Sequence, residues 1–335
     1  MAGASEAAWR LPAWASRWGR RWLPWLAAAA ILAWLTTRVP LDALRAALRH
    51  GSYLPLAVFV LFETLAILPL DVFATREALA IVGVRRGFLE LLLLRGATYL
   101  LGLVSYVAGQ GAVGVYLARG GVRASRAAGA MLFLMISNGV VLVAIAALGL
   151  LVDLPRDRRE LLLLLVLGAL AGIALYLAVI GARPRWLTGR TALAPLFEAG
   201  VGGHLRAAAA RLPHLLIMAA LQWGAFLVWG IALPFWRTLA LMTVVLLVAA
   251  LPITPSGLGT SQVLQVLFFS PWAAGADAAA RSADVLALSL VHYVFGVGWQ
   301  GLVGLVCLAG LRRAGGKDSR DNKDSKDGNA GRDDG

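Results

Sequence analysis

Charge is scarce in this chain: only 15% of its 335 residues are Asp, Glu, Lys or Arg, against about a quarter in a soluble globular domain. With 60% of residues hydrophobic, an ordinary water-soluble fold is excluded. Lysine is nearly absent, confined to Lys317, Lys323 and Lys326 near the C-terminus. The one cysteine, Cys307, sits in an apolar run, which rules out an intrachain disulfide. The four histidines, at 50, 204, 214 and 292, show no metal-ligand spacing. A P-loop is also missing, so no metal or other cofactor is implied. The net charge is +13, but basic residues set between apolar runs orient a chain and meet anionic lipid. Nucleic acid is therefore not an expected partner.

What is abundant is Ala, Leu, Gly and Arg in long apolar runs, a bias that points to a GC-rich bacterial genome. The runs fall at about 23–35, 53–70, 88–117, 127–152, 161–181, 212–236, 238–272 and 283–311. Since a spanning helix takes about 20 residues, the expected fold is all-α: a polytopic membrane helix bundle of about eight spans, with one or two re-entrant or broken helices. Three parts follow. Residues 1–22 alternate Trp and Arg and read as an interfacial helix or an ordered cytoplasmic lead-in. Residues 23–311 form the transmembrane domain. Residues 312–335 mix seven basic with six acidic residues and are expected to be disordered. Basic residues concentrate most strongly on one side if 88–117 enters and returns while 238–272 crosses twice. Both termini are then cytoplasmic.

Two interruptions carry the chemistry. Leu251 to Gln262 reads L-P-I-T-P-S-G-L-G-T-S-Q; Pro252 and Pro255 break helix, and Gly257 and Gly259 relax the backbone. Such backbone survives in hydrocarbon only when buried in protein or facing a wet cavity. A helix starting near Thr260 would turn its free amides and positive dipole end toward an anion, with hydroxyls from Thr254, Ser256, Thr260 and Ser261. The alternative is a short interfacial loop between two spans. The glycines Gly109, Gly111 and Gly114, with Gln110 among them, are either the counterpart of that break in a transporter with two interrupted segments or a close-packing face.

Ionisable residues inside apolar runs are costly and mark pathways or structural pairs. Glu63 is the strongest candidate, facing a cavity or pairing with an arginine such as Arg95. Arg76 is a phosphate contact or an interfacial anchor. His292 is a packing residue or a proton relay. Gln110 and Gln262 are the amides best placed to meet a substrate, because each lies in a break.

The strings A-T-R-E-A-L at 74–79, Y-V-A-G-Q-G-A-V-G-V-Y-L-A-R-G-G-V at 106–122 and L-P-I-T-P-S-G-L-G-T-S-Q at 251–262 resemble the flippase-like family named for the transmembrane region of lysylphosphatidylglycerol synthase. The similarity extends over roughly residues 25–310. It implies an integral inner-membrane protein that moves a lipid or lipid-linked headgroup between leaflets. In the synthase a soluble domain transfers the aminoacyl group; this chain ends in a charged tail, so no enzyme activity is implied. Where the family commonly has glutamates, this sequence has Val115 and Gln262, which points away from a cationic lipid and toward a neutral, anionic or isoprenoid-type one. The expected function is thus a translocase for a phospholipid or isoprenoid-linked headgroup, with membrane lipids as partners. The alternative is a non-transporting accessory protein for a lipid-modifying or envelope-biosynthesis enzyme.

Overall fold

The computed structural model describes residues 13–151, 156–251 and 253–330. The interfacial segment expected over 1–22 lies largely outside them, as does Pro252. Among the described residues there are twelve α-helices and no strand.

The chain begins with α1 (Ala13–Arg38) and α2 (Leu41–Arg49), which meet at 94°. Pro40 stands at the corner, its ring fixing an extended φ immediately before α2. A long helix follows, α3 (Tyr53–Ile81), then two short ones, α4 (Phe88–Gly102) and α5 (Tyr106–Arg119). Next come α6 (Ala124–Leu148), α7 (Arg156–Ala182), the single turn α8 (Arg185–Thr188) and α9 (Ala194–Trp229). The chain closes with α10 (Phe235–Ala249), α11 (Thr260–Phe269) and α12 (Ala278–Ala330). Five helices are long and apolar enough to cross a membrane, six if the bent α1–α2 pair counts as one. By helix length and hydropathy this is a multi-pass membrane protein.

Contacts at the helix ends define two ends of the bundle. Tyr53, opening α3, packs edge-on against Trp229, closing α9, at 5.8 Å. The Trp229 indole also donates to Asp284 at the start of α12, 3.1 Å away. At the opposite end Arg126, near the start of α6, donates to the Val82 carbonyl at 2.8 Å and to Glu198 of α9 at 2.7 Å. Helices α3 and α9 are therefore antiparallel neighbours. Leu35 of α1 and Val39 just past it pack with Ala283 and Leu286 at the Trp229 end, so α1 approaches from the Glu198 end, toward which α12 also runs.

The run 88–117, expected to enter and return, folds as two short helices, α4 and α5. Arg86, before α4, donates to the carbonyl of Gly120, after α5, at 2.8 Å. The two helices thus start and finish together as a hairpin at the Glu198 end. The expectation that 238–272 crosses twice does not hold. Arg237, at the start of α10, stacks over Trp272, just past α11, at 5.8 Å, which makes a second hairpin that closes at the Trp229 end. Helices of 15, 14, 15 and 10 residues rise only about 15–22 Å, short of a hydrocarbon core of about 30 Å. Half-length helices are equally apolar, so hydropathy alone counted them as spans, and the expected eight reduce to five or six. Helical backbone of α12 is described as far as Ala330.

The two hairpin tips meet inside the bundle. The Ser256 hydroxyl lies 2.7 Å from the Gly102 carbonyl and 2.8 Å from that of Leu103, satisfying acceptors that the end of α4 leaves open. Glycines permit the approach within the first hairpin: a Cβ on Gly109 would lie 3.3 Å from the Gly102 Cα.

Candidate functional site

A cavity of about 390 Å³ opens where the hairpins meet. Its walls come from α3, α4, α5, α6, α9, α10 and α12, with stripes at helical spacing such as Glu63, Ile67 and Asp71 on α3 and Arg211, His214, Met218 and Gln222 on α9. Ile67 is midway along α3, so the cavity sits at half-depth in the bundle. The side chains of Pro69 in α3 and Pro213 in α9 interrupt the backbone bonding beside these polar residues.

Toward the Glu198 end, one carboxylate serves two arginines. Asp71 accepts from Arg95 Nε at 2.6 Å and also from Arg211 Nη1. Arg95 Nη1 reaches Gln110 Oε1 at 3.1 Å, and Arg211 Nη2 reaches the Thr75 hydroxyl at 3.3 Å. Arg95 and Arg211 are 8% and 5% exposed. Each charge is desolvated, and the cluster carries one more positive charge than negative. Beside it His214, 7% exposed, lines the cavity.

Toward the Trp229 end the arrangement is reversed in sign. Glu63 accepts from Gln222 Nε2 at 2.7 Å and pairs with His292 Nε2 at 2.8 Å. Eight residues separate Glu63 from Asp71, about 12 Å of rise along α3. The cavity therefore has an arginine-rich half and a glutamate half. Among the described residues no group of three or more His, Cys, Asp or Glu is placed to hold a metal ion.

The structure brings together some of the residues singled out in the sequence and separates others. Glu63, Gly109, Gln110 and Ser256 line the cavity. The partner of Glu63 is His292, not Arg95, which belongs to Asp71. Arg76 is exposed on α3. Five residues past Asp71 is about 140° around the helix, so it faces elsewhere. Gly111 points into open space and Gly114 packs against Met131. Of the second break only Ser256 lines the cavity; Thr254, Pro255, Gly257, Gly259, Thr260 and Gln262 build the tip that carries it. Gln262, 1% exposed, accepts from the Gly259 amide at 2.6 Å, and Thr260 donates to the Gly257 carbonyl at 3.0 Å. Gly259 lies against Ile31 of α1. The start of α11 is thus capped and covered by its own hairpin and α1, outside the cavity lining.

Arg211 and His214 are functional candidates that sequence reading missed. The apolar run was begun at 212, whereas α9 begins at Ala194, because the Ala- and Gly-rich stretch before it is weakly apolar while remaining helical. The usable signal was a Pro flanked by ionisable groups, R-L-P-H at 211–214, inside a helical pattern. Comparison with protein-family models, with curated proteins and with solved structures gives no match.

Proposed function

We propose that this chain is a lipid translocase of a bacterial inner membrane, carrying the headgroup of a phospholipid or isoprenoid-linked lipid through the bundle while its tails stay in the bilayer. One observation carries the reading: a polar, charge-bearing cavity at half-depth, formed where two half-length hairpins from opposite ends meet. Buried charge within a membrane domain is expensive and is retained where it lines a pathway. Irregular backbone at that depth is likewise tolerated around a cavity, and paired interrupted segments mark transporter binding sites. The sequence strings that resemble the flippase-like family include α5 and the tip of the second hairpin. Loop arginines divide evenly between the two ends, and those of the terminal segments, Arg17, Arg20, Arg21, Arg312 and Arg313 among them, tip the balance toward the Glu198 end, which favours that end, and with it both termini, as cytoplasmic.

The test is reconstitution of the purified protein into vesicles whose inner and outer leaflets carry a fluorescently labelled phospholipid, followed by chemical quenching from outside. Translocation brings quenching beyond the outer-leaflet half in protein-containing vesicles alone. Quenching that stops at that half, for phospholipid and for an isoprenyl phosphate alike, overturns the reading in favour of an accessory protein.

A further inference from the structure

We infer that the cavity selects a headgroup bearing one negative charge, a phosphodiester, and rejects a pyrophosphate. The inference deepens the translocase reading and rests on it for the lipid; the charge count stands on geometry. Arg95 and Arg211 bring two positive charges, Asp71 removes one, and a single anion neutralises this cluster, while the Glu63 carboxylate in the other half of the cavity opposes any further negative charge. Buried charge left without a counter-ion is costly, so a headgroup with two or three negative charges would leave an uncompensated excess in the same desolvated space. The excess could not move along the cavity, because Glu63 stands at the other half with both carboxylate oxygens engaged by Gln222 and His292.

Donors remain for the phosphate oxygens. The four hydrogen bonds from the two guanidinium groups to Asp71, Gln110 and Thr75 engage four of their ten N–H groups. Arginine's planar fork suits phosphate bidentately. His214 adds a nine-tenths buried ring to the cavity wall beside this cluster. A volume of about 390 Å³ is at the small end of ligand cavities, about 300–1,000 Å³. It holds a phosphodiester with a small alcohol.

The experiment measures binding to the full-length protein in nanodiscs of zwitterionic lipid. The probes are dihexanoyl-phosphatidylglycerol, its water-soluble headgroup glycerophosphoglycerol, and farnesyl pyrophosphate. The expected result is a Kd about tenfold or more lower for the phosphodiester lipid than for the pyrophosphate, with glycerophosphoglycerol competing more weakly than the lipid. Competition at equal strength would mean that a free phosphodiester, not a lipid, is the ligand. Asp71→Asn raises the cluster to two positive charges and should reverse the order of lipid and pyrophosphate. Arg95→Gln keeps the Arg211–Asp71 pair, brings the cluster to neutrality, and should weaken both ligands about tenfold; it decides the matter if Asp71→Asn does not fold. A pyrophosphate that binds wild type more tightly, or an Arg95→Gln protein that binds both ligands as wild type does, overturns the charge count. Vesicle translocation measured in parallel separates the two claims: lipid movement with the wrong charge preference sinks this inference alone, while the right preference with no movement sinks the translocase.

Discussion

Ser256, at the tip of the second hairpin, holds the carbonyl of Gly102, at the tip of the first, across 154 positions of sequence and 2.7 Å of space. The hydroxyl has one proton, shared between Gly102 and Leu103, and each hairpin reaches that point from a different end of the bundle. Removing the hydroxyl with Ser256→Ala leaves those acceptors without this donor, at a cost of about 1 kcal/mol. Thermal unfolding in detergent should show a small drop in Tm. Vesicle assays should show a larger relative loss of lipid movement, because the tips define the cavity wall. Equal, small effects on both would make the contact merely structural.

A second prediction concerns the glycines of the two breaks, which differ although both were legible as breaks. Gly257 has φ +74°, and a Cβ there would lie 2.7 Å from the Ser261 Oγ and 2.9 Å from the Ala249 Cβ. Gly257→Ala should cost roughly 2 kcal/mol or more. Gly111, helical and facing open space, should tolerate Ala or gain about 0.5–1 kcal/mol. Paired unfolding curves of the two variants check both signs at once.

These two glycines show what the sequence can and cannot convey. Proline and glycine clusters mark where helix stops, so the breaks near 105 and 254 were readable. How long the flanking helices run was not readable from hydropathy. The run 238–253 is as apolar as a true span, and hydropathy reports the surroundings of a helix, not its length. Pairings were hidden for a different reason. Asp71 and Arg211 are 140 residues apart, as remote in sequence as any other pair of charges, and only the antiparallel packing of α3 on α9 brings them together.

That pairing leads to a third prediction. Arg211→Gln leaves Asp71 with Arg95 alone, a neutral pair, whereas Asp71→Leu strands two arginines. Breaking a buried ion pair from one side costs about 3–5 kcal/mol, so Asp71→Leu should be the more destabilised by a wide margin. The double variant Asp71→Leu/Arg211→Gln, with one stranded charge, should fall between them. Urea or thermal titrations of the three proteins give the order, and additivity of the two single changes would argue against the shared-carboxylate arrangement.

The last prediction turns on the glutamate half of the cavity. His292 Nε2 lies 2.8 Å from one carboxylate oxygen of Glu63, while Gln222 Nε2 donates to the other, so Glu63 ties α3 to both α9 and α12 at the cavity wall. Glu63→Gln keeps the size of the side chain but removes the carboxylate from that tie, and His292→Gln removes the ring that meets it. If the headgroup passes this half of the cavity, both variants should slow lipid movement in vesicles while leaving the phosphodiester preference set by Arg95, Arg211 and Asp71 unchanged. A rate unchanged in Glu63→Gln, in protein that folds as wild type does, would remove Glu63 from the pathway and leave it as a structural tie between α3 and α12.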